Sequence, residues 1–270
     1  MADTMTSILK KIVEKRKLRI EDAQKKRSEA LLFGMLSQRP LLRNFGAGLH
    51  QNAQKPAALI AEIKRRSPSK GDLNPDLDPA SFAKAYEKGG ASALSVLTEP
   101  DFFGGSLEDM EAARAATLLP VLRKDFIFHP YQVLESAVMG ADAILLIARI
   151  LDRQLHKELA ALASDLSLQV LHEIHGEEEI SQTLDAGARF VGINNRDLAT
   201  FETDIRLAPR MASLLPQGVI PVALSGIRGP EDIAASRHLG VHSFLVGESL
   251  VCSPDPEKDL KAMVESGGLP

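Results

Sequence analysis

The segment AEIKRRSPSKG, residues 61–71, places a carboxylate and an ammonium group two positions apart at the end of an apolar run. Side chains in a β-strand alternate between two faces, so Glu62 and Lys64 would share one face, with Ile60 beneath them pointing the same way. A carboxylate can accept a proton and an ammonium group can donate one. The pair therefore predicts acid–base chemistry at the end of a strand.

Polar residues also stand at the ends of other apolar runs further along the chain. They are Lys124, Glu173, Asn194, Arg196, Ser225, Gly226, Gly247 and Glu248. Ammonium, guanidinium, carboxylate and amide groups that converge on one mouth form a pocket suited to a small, multiply anionic molecule with hydroxyl groups. Each residue alone could be a solvated strand end, but their repetition favours a shared site.

The elements that must position these side chains are eight short apolar runs, which begin near residues 58, 92, 120, 142, 168, 189, 219 and 242. Longer amphipathic segments separate them, and a glycine often precedes a run, as in KGGASAL and MGADAIL. Strands that are apolar on both faces and alternate with helices are typical of parallel sheets. Eight such units predict an α/β fold, a (β/α)8 TIM barrel, with chemistry at the carboxyl ends of its strands.

An open, doubly wound sheet would give the same alternation of strands and helices. Its dinucleotide fingerprint, G-x-G-x-x-G after the first strand, is absent from the sequence. The segment SPSKGD also lacks the spacing of a phosphate-binding P-loop. The closed barrel is therefore preferred to the open sheet.

Two glycines and two aromatic residues suggest what the pocket holds. Gly226 in LSGI and Gly247 in LVGES would each begin a helix, where free backbone N–H groups receive phosphate. Gly226 alone could be only a tight turn. Phe102 or Phe103, directly after the second strand, would lie over the mouth as a flat wall for an aromatic substrate.

The segment HEIH, residues 172–175, looks like a metal motif, but we predict no metal site there. On a strand His172 and Glu173 face opposite sides, and the spacing is not that of a helical H-E-x-x-H motif.

Residues 1–50 lie outside the repeat and predict an N-terminal helical extension, with the barrel domain at 51–270. Nine lysines or arginines and three acids fall between Lys10 and Arg27. Nucleic-acid binding is one interpretation of this charge. The preferred interpretation is a solvated helix packed by Ile8 and Ile12 across one end of the barrel, because no aromatic residues interleave for base stacking.

Composition restricts the function further. A net charge of −4 gives no general attraction to nucleic acid or anionic lipid, and no run is long and apolar enough to cross a membrane. A lone cysteine, Cys252, and a polar N-terminus without a leader pattern predict a cytoplasmic protein. We expect a small-molecule substrate, no nucleic-acid or membrane partner, and a monomer or weak homodimer.

Several motifs together resemble one family. They are IAEIKRRSPSKG, LSVLTEPDFFGGS, PVLRKDFIFHPYQV, GADAILLIA, GINNRDLATFE, SGIRGPED and FLVGESL. Over nearly all of residues 55–255 they resemble indole-3-glycerol-phosphate synthase, the ring-closing decarboxylase of tryptophan biosynthesis. The resemblance implies a carboxy-lyase without a cofactor. It would convert 1-(2-carboxyphenylamino)-1-deoxyribulose 5-phosphate to indole-3-glycerol phosphate, carbon dioxide and water.

The resemblance also implies roles for individual residues. Lys124 would be the general acid, and Glu173, with Glu62 nearby, would move protons. Lys64 would hold an anionic group of the substrate, and Asn194 would position a catalytic group. The residues implied to bind the substrate are Ser67 and Arg196 for its anionic groups, Phe103 and Leu145 for its aromatic ring, and Ser225, Gly226, Gly247 and Glu248 for its phosphate.

Two positions depart from the family pattern. Most members have Glu immediately before SGI, where this chain has Leu224, so a contact with the substrate is expected to be lost. His129 replaces a common Asp, which we interpret as a loop change.

The convergence of charges also predicts pKa shifts. Lys64 and Lys124 are expected to lower each other's pKa from about 10.4, and the pocket is expected to raise the pKa of the glutamates.

Two other functions stay open on the residues alone. A sugar-phosphate isomerase barrel would keep the phosphate glycines but would not need two convergent lysines and a hydrophobic wall. A phosphate-ester-binding barrel could have lost turnover through Leu224.

Overall fold

A computed structural model describes residues 7–49, 57–197 and 202–266 of the chain. Its main feature is a closed barrel of eight parallel strands, which confirms the predicted (β/α)8 architecture. Each apolar run of the sequence contains one strand. The strands are β1 (Ala58–Ile63), β2 (Ala93–Leu97), β3 (Val121–Lys124), β4 (Ala143–Ile147), β5 (Gln169–Ile174), β6 (Phe190–Asn194), β7 (Ile220–Leu224) and β8 (Ser243–Val246).

Helices lie between the strands and before the barrel. They are α1 (Ser7–Lys26), α2 (Glu29–Met35), α3 (Pro79–Lys88), α4 (Leu107–Ala116), α5 (Pro130–Val138), α6 (Arg153–Asp165), α7 (Ile180–Asp185), α8 (Leu207–Ala212), α9 (Pro230–His238), α10 (Glu248–Val251) and α11 (Pro256–Ser266). A short hairpin, Arg66–Ser67 with Gly71–Asp72, follows β1. None of the described helices could span a membrane.

His129 lies in the connection between β3 and α5, and it also caps the helix that follows. Its side chain accepts a hydrogen bond from the backbone N–H of Tyr131, and the side chain of Gln132 accepts one from the backbone of His129. Because the first N–H groups of a helix have no intrahelical acceptor, this reciprocal pair stabilises the start of α5.

The barrel interior is an apolar core that ends in polar groups at one mouth. Ile60, Leu122 and Leu171 pack inside the strands. The other end is closed by Phe45 and Leu49, which are buried in the same cluster. The predicted domain boundary at residues 50–51 lies outside the described residues. The segment just before it is nevertheless part of the barrel core, because it closes the lower end.

Helix α1 crosses the polar mouth, with one apolar stripe turned inward. Leu9, Ile12, Arg16 and Ile20 are buried at helical spacing, whereas the other lysines and arginines of the helix face solvent. Leu9 and Ile12 line a cavity together with Lys124 and Glu173 from the strand ends. The end of the barrel that α1 covers is the one that carries the polar groups.

Arg16 fastens α1 to the strand that ends in Lys124. Its Nη2 lies 2.8 Å from Oδ2 of Asp125, the next residue after β3, whose side chain is fully buried. Burial opposes ionisation of Asp125, but Arg16, Arg123 and a hydrogen bond from Thr98 hold its pKa below the usual value. The carboxylate thus joins α1 to the end of β3, on the side of the barrel wall that Arg123 also faces.

The ion pair of Arg16 with Asp125 leads to a prediction about the stability of the protein. The neighbouring pair of Arg19 with Asp101 serves as the experimental control. Arg16→Met should lower the free energy of unfolding by about 2 to 4 kcal/mol, because the buried carboxylate loses one of its partners. Arg19→Met, one turn along α1, removes an exposed pair with Asp101 and should cost no more than about 1 kcal/mol. Urea unfolding measures both values. Equal losses would show that the Arg16 pair does not fasten α1.

Candidate active site

Two adjoining cavities open at the carboxyl ends of the strands, and the predicted site residues line them. Twelve of the thirteen candidates contribute to one cavity or both: Glu62, Lys64, Ser67, Phe103, Lys124, Glu173, Asn194, Arg196, Ser225, Gly226, Gly247 and Glu248. The thirteenth, Leu145, lies inside the barrel, 1% exposed. Ile147, two residues later on the same face, lines the cavity at that point. The twelve candidates come from seven of the eight strand ends, and Ile147 adds the remaining one, that of β4.

Glu62 and Lys64 form the first ion pair of the mouth. Their side chains lie on one face, and Lys64 Nζ is 2.6 Å from Glu62 Oε1. Gly247 makes room for this pair, because a Cβ atom there would lie 2.5 Å from Glu62 Oε1. The absence of a side chain at Gly247 thus lets the carboxylate of β1 pack against the end of β8.

Lys124 and Glu173 form the second ion pair. Lys124 Nζ lies 3.6 Å from Glu173 Oε2, and the other oxygen of Glu173 accepts a hydrogen bond of 3.0 Å from Nδ2 of Asn194. Asn194 is fixed in turn, because its Oδ1 accepts from Ser225 Oγ at 2.6 Å. Side chains from β3, β5, β6 and the end of β7 therefore form one connected polar group.

The pKa shifts are opposite to those expected from the sequence. Burial disfavours the charged form of Lys124, but the carboxylates of Glu173 and Glu62 outweigh it and raise the lysine pKa. Burial likewise opposes ionisation of Glu173, yet Lys124, His175 and Asn194 lower its pKa. For Lys124 and Glu173 the expectation was wrong because the nearest charged neighbour of Lys124 is a carboxylate. At neutral pH the second pair is therefore an ammonium group and a carboxylate.

Arg196 links the sixth strand end to the loop after β1. Its Nη1 donates to Ser69 Oγ at 3.0 Å, and its Nη2 lies 3.5 Å from Glu248 Oε2. Lys70 approaches the other oxygen of Glu248 at 3.9 Å. Two cations from different elements thus converge on the rim of the mouth. An anionic group of a ligand could replace the partly exposed carboxylate of Glu248 between them.

The glycines after β7 and β8 differ in their setting. Gly247 directly precedes α10, as expected, but Gly226 does not begin a helix, because α9 starts only at Pro230. Gly226 instead lies in a turn with a positive φ of 81°, and Ser225 before it has a φ of 61°. A positive φ is uncommon for a residue with a side chain. The sequence could not distinguish this turn from a helix start.

Aromatic side chains form one wall of the mouth. The ring centroids of Phe103 and Phe126 are 5.8 Å apart, and both rings line the cavity under α1. The loop that carries Phe103 is held from within by Glu99, whose Oε2 accepts hydrogen bonds from the backbone N–H groups of Phe102 and Phe103. These hydrogen bonds fix the backbone of the loop and so hold the Phe103 ring at the wall of the cavity.

Sequence reasoning missed several residues of the site. They are Ser69, Phe126, Ile147 and His175, together with Leu9 of α1. His175 and Ile147 could have been found by strand alternation, since each lies two positions after an inward residue, Glu173 and Leu145 respectively. The place of Leu9 depends on how α1 crosses the barrel, which no local pattern reveals.

The histidine motif HEIH divides between the two sides of the barrel wall. His172 faces α6, where its Nδ1 lies 2.9 Å from Nε2 of His156. His175 faces inward, with Nε2 at 3.3 Å from Glu173 Oε1. Within the described ranges, no group of three or more His, Cys, Asp or Glu side chains is arranged to hold a metal ion.

Comparison with known proteins settles the family. A family model described as indole-3-glycerol phosphate synthase matches residues 9–263. The chain belongs to the indole-3-glycerol phosphate synthase family. Two similar relatives carry that name: one from Desulfosudis oleivorans, 47% identical over 96% of this chain and 99% of the relative, and one from Carboxydothermus hydrogenoformans, 45% identical over 95% and 99%.

A solved structure supports the fold alone. A thiamine phosphate pyrophosphorylase from Pyrococcus furiosus superposes with a TM-score of 0.60, at 15% identity, over 80% of this chain and 97% of the other. The indole-3-glycerol phosphate synthase family accounts for the resemblance of the motifs, and the barrel places most of those motifs at a single mouth.

Leu224 is one of the two positions expected from the sequence to depart from the family pattern, and it lies at the mouth. Its side chain is 2% exposed and lines the same cavity as Lys64 and Lys124. Gly192 on the neighbouring strand leaves room for it, since a Cβ atom there would lie 2.7 Å from Leu224 Cδ1. A longer, charged side chain at position 224 would therefore enter the mouth.

This placement gives a prediction for Leu224→Glu. The new carboxylate should raise catalytic efficiency modestly by restoring a polar contact with the substrate, and it should shift the basic limb of the pH–rate profile upward by stabilising protonated lysine. Leu224→Gln, which adds a polar group of similar size without charge, is the matched control and should leave the limb in place. If the limb of Leu224→Glu also stays in place, residue 224 does not act on the lysines.

Proposed function

We propose that this chain closes the indole ring in tryptophan biosynthesis. It converts 1-(2-carboxyphenylamino)-1-deoxyribulose 5-phosphate to indole-3-glycerol phosphate with loss of carbon dioxide and water. The observation that carries the proposal is the pair of ammonium–carboxylate contacts, Lys64 with Glu62 and Lys124 with Glu173, at one mouth beside an aromatic wall. The family shown by the comparisons supports the same reaction.

In the ring-closing step Lys124 is the general acid. The ring carbon that carries the carboxylate attacks the ketone carbon of the ribulose chain, and the ketone oxygen takes a proton from Lys124 Nζ. Because the pKa of Lys124 is raised, the group is protonated before the substrate binds. An alkoxide is far more basic than an amine, so the transfer is favourable once charge develops on the oxygen. Carbon dioxide then leaves, and the electrons of the broken bond return to the ring.

The dehydration step needs one acid and one base. Lys64 gives a proton to the leaving hydroxyl group, which departs as water, and the carboxylate of Glu173, with Glu62 nearby, accepts the proton that the adjacent CH2 carbon of the new ring loses as the carbon–carbon double bond forms. Asn194 holds Glu173 in place for this transfer through its 3.0 Å hydrogen bond. Each of the two ion pairs thus contains both a donor and an acceptor.

Binding groups for the rest of the substrate surround these pairs. Phe103 packs against the aromatic ring, with Ile147 at the place first assigned to Leu145. Ser67 and Arg196 bind the substrate's anionic groups. The turn at Ser225 and Gly226 and the start of α10 at Gly247 hold the phosphate through backbone N–H groups. Glu248 turns away when the phosphate binds, which leaves Arg196 and Lys70 to the anionic group that replaces its carboxylate.

The proposal also covers the domains of the chain, its location in the cell and its oligomeric state. Residues 1–50 form an extension that completes the barrel at both ends, and residues 51–270 form the catalytic barrel. The chain acts in the cytoplasm, as a monomer or weak homodimer, on a small-molecule substrate and without a cofactor.

The test is incubation of the purified chain with the carboxyphenylamino substrate while indole absorbance and fluorescence are followed. The chain contains no tryptophan, so the protein adds little indole signal of its own. Appearance of the indole product supports the synthase. A sugar-phosphate isomerase would give a new sugar phosphate without indole, and a non-catalytic barrel would bind a reduced substrate analogue without any product.

A further inference from the structure

The imidazole of His175 is a buried polar group that the proposed steps do not use. Its side chain is 3% exposed, and neither ring nitrogen has a hydrogen-bond partner of good geometry in the structure. Burying a polar group without a partner costs free energy, so such a group calls for an explanation. Its nearest charged group is the carboxylate of Glu173, at 3.3 Å from Nε2.

The surroundings of His175 form a line of polar groups behind Glu173. Nδ1 of the ring lies 3.9 Å from Oε2 of Glu179. That carboxylate also accepts from the backbone N–H of His175 at 2.6 Å, and its other oxygen accepts from Arg149 Nε at 2.8 Å. Glu179 and Arg149 thus hold the backbone and the ring at one place, with Nε2 directed at the carboxylate of the proposed base.

We propose that His175 is a positioning residue for Glu173. Nε2 lies 3.3 Å from Glu173 Oε1 but outside hydrogen-bond geometry in this structure. A small rotation of the ring would let Nε2–H donate to that oxygen, which also accepts from Asn194, and would leave Oε2 directed at Lys124 and the mouth. The inference rests on the proposed function, in which Glu173 moves protons. It adds a residue that would act only through Glu173 and would not touch the substrate.

A role in general packing explains the contacts less well. A packing histidine is expected to satisfy its ring through neighbours of its own, as His172 does with His156 on the outer side of the same strand. His175 instead points both nitrogens at carboxylates, one of which lines the mouth. The same spacing recurs at two other strand ends, where Lys64 follows Glu62 and Arg196 follows Asn194 by two positions.

The charge state of His175 determines the direction of the expected pH effect. The groups that face it are Glu173 on its own strand, Glu179 and Arg149 beside the ring, and Lys124 across the mouth. Burial lowers the pKa of His175 despite the two carboxylates, so the ring is neutral at pH 7 and can donate one N–H. His175 in turn contributes to the lowered pKa of Glu173. Its removal should therefore raise the pKa of Glu173.

The experiment compares three variants by their pH–rate profiles with the carboxyphenylamino substrate. His175→Ala should lower kcat about 10-fold, change KM little, and move the acidic limb to higher pH. His175→Gln, whose Nε2 can reach the place of the imidazole Nε2, should recover most of the loss and of the limb. His172→Ala, the matched control, should lower the unfolding midpoint and leave the acidic limb where it is in the original chain.

An unmoved acidic limb in His175→Ala, with the original chain active, would overturn the inference while leaving the proposed function intact. The same holds if His172→Ala moves the limb equally, because the effect would then come from packing. If His175→Ala does not fold, His175→Gln decides: a displaced limb with a tenfold loss of kcat would show that a donor at this place does not position Glu173. Failure of the original chain to form indole would instead contradict the proposed function.

Discussion

Lys124→Met is expected to lower turnover by about 10² to 10⁴-fold, the usual worth of a general acid. The methionine keeps the length and the apolar stem of the side chain but has no proton to give to the ketone oxygen. Glu173 also loses the cation that does most to lower its pKa, so the acidic limb of the remaining activity should move to higher pH. Single-turnover kinetics across a range of pH values measure both effects.

Lys157→Met is the matched control for this substitution. Lys157 lies on α6, partly exposed, with its Nζ 3.8 Å from Asp185 and away from the mouth. The same chemical change there should leave turnover and the pH profile as they are. Near-normal turnover of a folded Lys124→Met variant would remove Lys124 from the mechanism.

The second large effect is expected for Glu173→Gln. The amide keeps the shape of the carboxylate but cannot accept the proton, so turnover should again fall by about 10² to 10⁴-fold. Lys124 loses the carboxylate that contributes most to its raised pKa, so the basic limb should move to lower pH. The acidic limb that reports Glu173 should disappear. These changes are visible in the pH dependence of kcat.

Glu158→Gln, an exposed change on α6, controls for the loss of one negative charge. It should leave both limbs in place. If Glu173→Gln keeps an acidic limb at its original pH, the limb belongs to another group, and the assignment of Glu173 as the principal proton acceptor is wrong.

Much of the site could be predicted because barrel geometry converts a local pattern into a shared location. A strand end is visible in the sequence as an apolar run followed by a polar residue, and closure of eight parallel strands brings those ends to one mouth. Glu62, Lys124 and Asn194 needed nothing more than this. The alternation rule that paired Glu62 with Lys64 applies equally to Glu173 and His175. His175 could therefore have been predicted from the sequence as well.

Other features depend on distances that no sequence pattern contains. The sign of the Lys124 pKa shift depends on a carboxylate at 3.6 Å outweighing burial. Whether Leu145 or Ile147 reaches the cavity depends on how far the cavity extends down between the strands. The places of Leu9 at the top and Phe45 at the bottom depend on how a segment outside the repeat wraps around it. These are long-range relations, whereas propensity and periodicity are local.

In the proposed reaction this mouth joins ring closure to loss of the substrate's carboxyl group. The most direct measurement uses substrate labelled with ¹³C in the carboxyl group and counts labelled carbon dioxide against indole formed in the same reaction. We expect one molecule of labelled carbon dioxide for each indole, with both products lost together in Lys124→Met. Consumption of the substrate without labelled carbon dioxide, or release of carbon dioxide without indole, would contradict the proposed reaction.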